Sequence, residues 1–338
     1  MTPKVAVVIL NWNGSKLLQE FLPSVIRHSG PMAEVIVADN GSTDNSIEVL
    51  NAQFPSVRII RNSTNKGFTG GYNEALKYVS AEYFVLLNSD VEVTPNWIEP
   101  IIAMMDADKT IGACQPKVLS YHNKDRFEYA GAGGGFIDHL GYPFCRGRIF
   151  NDIEIDTHQY DDSIPVFWAT GACMFVRADV YNQLEGLDEQ FFAHMEEIDL
   201  CWRMQLNGFS VYYCGQSTVY HVGGGTLAKN NPRKTYLNFR NNLLMIYKNA
   251  GEKRSSILLK RRFFDLIAAI KFLITNGKED ALAVMKAHRD FRKMRVNYSD
   301  KTLQRPPKTR PLTIYKRSLL WDYYLCNRKK FTALPKND

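Results

Sequence analysis

The sequence predicts an α/β fold: a doubly wound, mainly parallel sheet covered by helices on both faces, followed by a basic helical extension. Three observations carry that prediction. Short runs that are apolar at every position alternate with amphipathic segments through the first hundred residues, polar residues collect just after those runs, and the charge changes sign along the chain. With 338 residues, 45% hydrophobic and 23% charged, the chain is long enough for one large α/β body with an appendage. The same composition, with 22 Gly and 14 Pro, excludes collagenous, low-complexity and largely disordered chains.

In chain order, residues 5–10, 35–39, 57–61 and 83–87 read as strands, and 15–28, 44–53 and 70–80 as the helices between them. Strands that are apolar throughout need cover on both faces. This is the pattern of a parallel sheet, whose ligand is expected at the carboxyl ends of the strands. The run 5–10 passes straight into Asn11-Trp12-Asn13-Gly14 with no small-residue cleavage site, so it reads as a strand and not as a leader. Residues 120–165 are loop-rich, with Gly131-Ala132-Gly133-Gly134-Gly135 and an acidic stretch at 152–162, and are expected to form a mobile excursion over the site. Order resumes at 166–176 and at Gly186-Leu187-Asp188, then a helix over 198–206 and a strand over 210–214 leading to His221. Two basic helical segments, 253–275 and 278–296, precede Arg305-Pro306-Pro307-Lys308-Thr309-Arg310-Pro311, where the prolines force extended chain. The most apolar stretch, 263–275, is interrupted by Asp265 and Lys271, so no bilayer-spanning segment is expected.

Residues 1–225 hold 15 Lys and Arg against 27 Asp and Glu, net −12, whereas residues 226–338 hold 27 against 8, net +19. An acidic first part argues against nucleic acid as a partner, and the basic tail, rich in aromatic residues and leucine, points to an anionic one. The six cysteines, at 114, 145, 173, 201, 214 and 326, show no CxxC pair or zinc spacing and lie among apolar neighbours. Reduced, buried thiols in a cytoplasmic protein are expected.

Four segments hold the residues suited to chemistry. Strand one ends without GxGxxG, so the ordinary dinucleotide fingerprint is missing where it would count. Instead Asp39 ends strand two, with Asn40-Gly41-Ser42 behind it. Its carboxylate either accepts hydrogen bonds from a base N–H or a ribose hydroxyl or caps a helix starting near Thr43. The loop Asn65-Lys66-Gly67-Phe68-Thr69-Gly70-Gly71-Tyr72-Asn73 precedes a helix. Its glycines either let backbone approach an anionic ligand or simply make a turn. Asn88-Ser89-Asp90 follows a hydrophobic strand, where Asp90 is either a ligand for a hard divalent cation or a solvated turn residue. In His194-Met195-Glu196-Glu197-Ile198-Asp199-Leu200-Cys201-Trp202-Arg203, Asp199 pairs with Arg203 four residues on, while Glu197 is a candidate general base.

Taken in order and spacing, these segments resemble the family 2 glycosyltransferases of the GT-A fold over about residues 3–245. Thr170-Gly171-Ala172 and Gly186-Leu187-Asp188-Glu189-Gln190-Phe191-Phe192 make the chain most similar to the bacterial rhamnosyltransferase-like branch. The resemblance implies a catalytic domain over 1–245, with a nucleotide-sugar half at about 1–115 and an acceptor half at about 116–245. The extension is then 246–338. It implies that Asp39 contacts the base, that Asn11, Asn13, Asn65 and Gly67 line the nucleotide pocket, and that Asn88 and Ser89 lie near ribose and phosphates. Asp90 and His221 are implied as ligands of Mg²⁺ or Mn²⁺, and Trp168, Thr170 and Gly171 as acceptor-binding residues. Two positions depart from the family pattern: Asn88 replaces the first acid of DxD, and Glu197 stands where Asp is usual, so that Glu196 or Glu197 is the base.

The expected activity is an inverting transfer of a sugar, with dTDP-L-rhamnose as the leading donor, to a glycan or polyisoprenoid-linked acceptor in bacterial surface polysaccharide synthesis. The alternatives are a non-catalytic sugar-nucleotide-binding protein and a metal-dependent nucleotide pyrophosphatase. Finally, Leu259, Phe263, Leu266, Ile267, Ile270, Leu273 and Ile274 share one helical face, with Lys260, Arg261, Arg262 and Lys271 off it. The segment 253–296 is therefore expected either to lie on an anionic membrane, at the inner face of the plasma membrane, or to pack against the catalytic body.

Overall fold

The computed structural model describes residues 3–223, 231–298 and 313–336. The first strand, β1 (Val5–Asn11), runs into α1 (Ser15–His28), then β2 (Ala33–Asp39), α2 (Ser46–Gln53), β3 (Arg58–Arg61), α3 (Gly67–Leu76) and β4 (Tyr83–Asn88). These strands pair in parallel in the order β3, β2, β1, β4, with Asn11 level with Asp39 and Leu10 level with Asn88. A short β5 (Val91–Val93) and α4 (Glu99–Ala107) lead to β6 (Ile111–Ser120). The predicted alternation is therefore present. All three polar strand ends, Asn11, Asp39 and Asn88, fall on one edge of the sheet.

Period-two alternation explains why the strands look apolar throughout. Ala6, Val8, Ile36, Phe84 and Leu86 feed one core, while Val5, Val7, Ile9, Val37, Tyr83, Val85 and Leu87 feed the other. Each fully buried Val or Leu contributes about 1.5–3 kcal/mol. Helix α3 starts earlier than the predicted 70–80, because Gly70 and Gly71 belong inside it. A Cβ on Gly71 would come within 2.9 Å of both Leu10 and Asn40, so this glycine serves the close approach of helix to sheet.

The chain then departs from its predicted course. Residues 120–165 are not a mobile excursion but build a second, five-stranded sheet. Its strands are β7 (Gly135–Asp138), β8 (Pro143–Cys145), β9 (Arg148–Ile149) and β10 (Asp152–Ile153), joined by a C-terminal strand described below. The glycines there are packing devices: a Cβ on Gly135 would enter the Trp168 ring at 2.2 Å, and one on Gly147 would meet the Phe127 ring at 2.5 Å. Next come β11 (Ser163–Val166), β12 (Cys173–Arg177), α5 (Ala178–Gln183), α6 (Glu196–Leu206) and β13 (Ser210–His221). The last strand extends the predicted 210–214 through an irregularity between Cys214 and Thr218 that re-registers it along β6 and carries it to His221. Strands β12, β6, β13 and β11 complete the large sheet beyond β4, with β5 paired to β13.

Helices α7 (Pro232–Asn249), α8 (Arg254–Thr275) and α9 (Lys278–Met294) pack on one another, and α7 also packs on α6. Finally β14 (Ile314–Tyr315) pairs with β7, and α10 (Leu319–Tyr324) follows it. The proline-rich 305–311 lies outside the described residues. Five cysteines are buried, as expected, but Cys326 is exposed. No helix among the described residues is long and apolar enough to cross a membrane.

Candidate active site

Three strand ends and one helix start build the site. At the first, Asn11 is fully buried and donates its amide to Asp39 Oδ1 at 3.4 Å and to Ser42 Oγ at 3.2 Å. Its own Oδ1 is buried without a partner. Asp39 also accepts from Ser42 N at 3.2 Å. It does not cap α2, which starts later than Thr43, at Ser46, where Asp44 Oδ1 accepts from Ser46 N at 3.1 Å. Asn13, in the left-handed region at φ 51°, accepts from Thr43 N and Asp44 N and so pins the turn after β2.

Asn40 ties this turn to the next loop, a role not visible in the sequence. It donates to Asn65 Oδ1 and Gly67 O and accepts from Asn62 and from Lys66 N. Asn65 in turn accepts from Gly67 N at 2.8 Å. Gly67 has φ 73°, and a Cβ there would meet Phe192 at 2.6 Å. Phe68 N then donates to Phe192 O at 2.9 Å, which joins the first loops directly to the segment ahead of α6.

At the end of β4, Asn88 Nδ2 lies 3.5 Å from His221 Nε2, and Asp90 Oδ1 lies 3.2 Å from the same nitrogen. Ser89 Oγ sits near Gly14, 3.8 Å from where a Cβ there would be. On the other side of the imidazole, the buried Glu128 places Oε2 3.4 Å from Nδ1. Glu128 lies in the loop-rich stretch and carried no sequence signal, since only folding brings it to the ring. Burial by itself lowers the His221 pKa, but the carboxylates of Asp90 and Glu128 outweigh it and push the value up to about 10. The ring is thus held by two carboxylates when no other cation is present. A metal ligand must be the deprotonated imidazole.

The donor set tests the expected metal. Asp90 Oδ1, His221 Nε2 and the Asn88 amide converge, but the described residues hold no cluster of three or more His, Cys, Asp or Glu side chains suited to a metal ion. Such a set fits a hard cation held by one carboxylate and completed by substrate phosphates and water, and does not fit a closed protein cage.

The fourth part is the start of α6. His194 and Met195 both adopt left-handed backbone, φ 70° and 73°, which turns the chain sharply into the helix. Asn241 of α7, fully buried, donates to the carbonyls of Phe191, Ala193 and His194 at 3.0, 2.8 and 2.7 Å and holds this loop. Burial drives the His194 pKa down to about 4 and leaves the imidazole neutral. Asp199 is structural, as expected: Arg203 Nε and Lys248 Nζ both lie 2.8 Å from its Oδ2.

Glu196 is buried, and desolvation together with the neighbouring Glu197 charge raises its pKa well above the carboxylate range. Glu197 is only half-buried, and burial raises its pKa to about 7. Glu197 Cβ lies 3.9 Å from the position of a Gly171 Cβ, and Ala172 O accepts from Asn88 N at 3.0 Å. The segment 170–172 therefore links the Glu197 Cβ to Asn88 at the end of β4, two residues before Asp90. The side chains of Trp168 and Thr170 are buried in the protein itself. Trp168 Nε1 donates to Phe136 O at 2.9 Å, and Thr170 Oγ1 accepts from Ala172 N at 3.2 Å. Of the three residues expected at the acceptor, Gly171 is the one that borders Glu197.

Comparison with known proteins accords with this geometry. Residues 6–184 match the family model described as Glycosyl transferase family 2. The N-acetylglucosaminyl-diphospho-decaprenol L-rhamnosyltransferase of Mycobacterium tuberculosis is 25% identical over 245 residues, covering 67% of this chain and 78% of that protein. The low-salt glycan biosynthesis hexosyltransferase Agl10 of Haloferax volcanii is 22% identical over 250 residues, covering 72% and 76%. Among solved structures, the mannosyltransferase PcManGT of Pyrobaculum calidifontis, in complex with GDP-Man and Mn²⁺, superposes with a TM-score of 0.55 at 14% identity, over 86% of this chain and 76% of that one. That likeness concerns the fold, and the large mixed sheet described above has the expected GT-A arrangement.

Proposed function

Because the chain belongs to glycosyl transferase family 2, we propose that it catalyses an inverting single displacement at the site described. In this reading the sugar moves from a nucleoside-diphosphate donor to a hydroxyl of a glycan or polyisoprenoid-linked acceptor in surface polysaccharide synthesis. The observation that carries the reading is the half-buried Glu197, its pKa raised to about 7, beside the backbone segment that also holds the Asp90 strand end. Burial and the neighbouring Glu197 charge raise the Glu196 pKa well above the carboxylate range, which supports Glu197 as the base.

Glu197 takes the proton of the acceptor hydroxyl, the freed oxygen attacks the anomeric carbon on the face opposite the nucleotide, and the bond to the diphosphate oxygen breaks. A positioned general base contributes about 10²–10⁴-fold. Placing donor and acceptor side by side removes the entropic cost of their encounter. In this reading Asp39 and Asn11 recognise the base and ribose, and the unpartnered Asn11 Oδ1 accepts from the ligand. Asp90 and His221, with Asn88 beside them, are the residues to hold Mg²⁺ or Mn²⁺, whose chemistry is to offset the charge developing on the departing diphosphate.

Similarity to the mycobacterial L-rhamnosyltransferase favours L-rhamnose as the sugar and a polyprenyl-diphosphate-linked acceptor; in this reading dTDP-L-rhamnose is the donor and the inner face of the plasma membrane the place of action. The transferase body in this reading is residues 1–245. Calorimetric titration with UDP, dTDP, GDP and ADP, each with and without Mn²⁺ or Mg²⁺, tests the pocket and the metal together. Metal-dependent binding of dTDP or UDP, lost in Asp90→Ala, is the expected result, and no binding of any of the four would overturn the assignment. Turnover with an added acceptor then separates a transferase from a pyrophosphatase, which releases nucleotide without one, and from a binding protein, which does neither.

A further inference from the structure

Helix α8 packs the opposite way from an ordinary amphipathic helix at the surface of a soluble body. Leu259, Phe263, Leu266, Ile267, Ile270, Leu273 and Ile274 are all exposed, Leu259 by 71% and Ile274 by 80%. Arg261, Asp265 and Ala269 are the buried positions of the helix. At about 100° per residue the seven apolar side chains fall within an arc of about 120°.

The polar side is what docks α8 to the body. Arg261 pairs with Asp265 at 3.2 Å and reaches Leu140 O and Asn242, while Asp265 also meets His288 at 3.0 Å and accepts from Tyr142 Oη. These bonds fix the rotation of the helix, so the apolar stripe is held outward. Cations edge the stripe, with Lys260 and Lys271 along one side and Arg262 along the other, all three exposed. The helix's one acid, Asp265, is buried on the opposite side.

Lys271 links α8 to α10, its Nζ 3.1 Å from Tyr324 Oη and 4.6 Å from that ring's centre. There Trp321, Tyr324 and Leu325 are exposed as well. An outward apolar stripe, a rim of Lys and Arg, and adjoining Trp and Tyr together match what the headgroup region of a bilayer selects. A second copy of this chain would set cations against cations along the same stripe, at a cost in repulsion.

We propose that the outer face of α8, with the adjoining end of α10, seats the protein on an anionic lipid surface, the helix lying in the headgroup layer without crossing it. The surface stands apart from the transfer reaction: lipid binding is read without substrate, and either reading can fail alone.

The test uses the full-length protein and co-sedimentation with vesicles of phosphatidylglycerol mixed with phosphatidylcholine, against vesicles of phosphatidylcholine alone. The wild type is expected to pellet with the anionic vesicles and far less with the neutral ones. Phe263→Asp combined with Ile270→Asp is expected to lower the partition by about tenfold or more. Lys260→Glu with Lys271→Glu is expected to remove the preference for anionic lipid. Both pairs are solvent-facing, so unchanged thermal unfolding by circular dichroism is expected and separates lost docking from lost folding. The proposal is overturned if the wild type stays in the supernatant with both vesicles, or if the Phe263 and Ile270 variant still pellets. It is equally overturned if sedimentation velocity shows a dimer that this variant dissolves, since a second copy then covers the stripe.

Discussion

At the residue scale, chemistry turns on two adjacent carboxyl groups in different surroundings. Burial and the neighbouring like charge push the Glu196 pKa well above the carboxylate range, while burial of Glu197, whose Oε2 has no hydrogen-bond partner, raises its pKa to about 7. A base acts only when deprotonated, so the sign of the pH dependence follows. The kcat/KM for sugar transfer should be level above about pH 7 and fall about tenfold per unit below it. Glu197→Gln should lose about 10²–10⁴-fold and with it the acid limb, while still binding donor. Glu196→Gln, which removes a carboxyl group whose pKa lies well above the usual range, should keep most of the rate. The reverse ranking of the two variants in a pH-rate series would move the base to Glu196.

At the scale of elements, the proposed base follows a loop that α7 ties down. Two successive left-handed residues, His194 and Met195, are strained for side-chain-bearing positions. Three of the loop's carbonyls converge on the two N–H groups of a single amide from α7, Asn241, and Phe191 O also accepts from Arg240. Asn241→Ala should therefore destabilise the protein by about 1–3 kcal/mol, the cost of removing the donor to the part-buried carbonyls of Ala193 and His194. It should also lower kcat at saturating donor, because a relaxed loop no longer aims Glu197. Urea denaturation and steady-state kinetics on the same preparation measure the two effects. A stability loss with kcat unchanged would separate the loop's rigidity from its catalytic alignment. Asn73 makes a similar join between the halves, donating to Leu187 O and accepting from Leu187 N and Tyr181 Oη.

At the scale of the molecule, the C-terminal segment completes the fold that it follows. Strand β14 adds to β7 in the small sheet, Tyr315 and Leu319 are buried against Phe144 and Ile149, and Leu319 N donates to Asp138 Oδ2 at 2.9 Å. Ending the chain at 312 should cost about 3–6 kcal/mol, from two buried side chains at about 1.5–3 kcal/mol each. The midpoint of thermal unfolding should fall accordingly. An unchanged midpoint would mean that β14 contributes nothing to the small sheet. Helices α7 and α8 are bound to the body in the same way, Lys248 to Asp188 and Asp199, and Arg261 to Leu140 O and Asn242.

Sequence by itself determined the parallel half of the large sheet, because strands covered on both faces must be apolar at every position and helices between them must repeat every 3.6 residues. It also determined which polar residues stand at the strand ends, since Asn11, Asp39 and Asn88 directly follow those runs. Only the tertiary structure decided what reaches them. Glu128 meets His221, Asn241 meets the loop before α6, and Gly171 meets Glu197 across long separations in the chain, and such pairings leave no local period. The glycines of 131–135 read as flexible because glycine permits both a loose loop and a close packing contact, and only neighbours such as Thr170 and Trp168 settle which. The same holds for α8. Its periodicity showed two faces, and the buried pairing of Arg261 with Asp265 decided that the apolar one points outward.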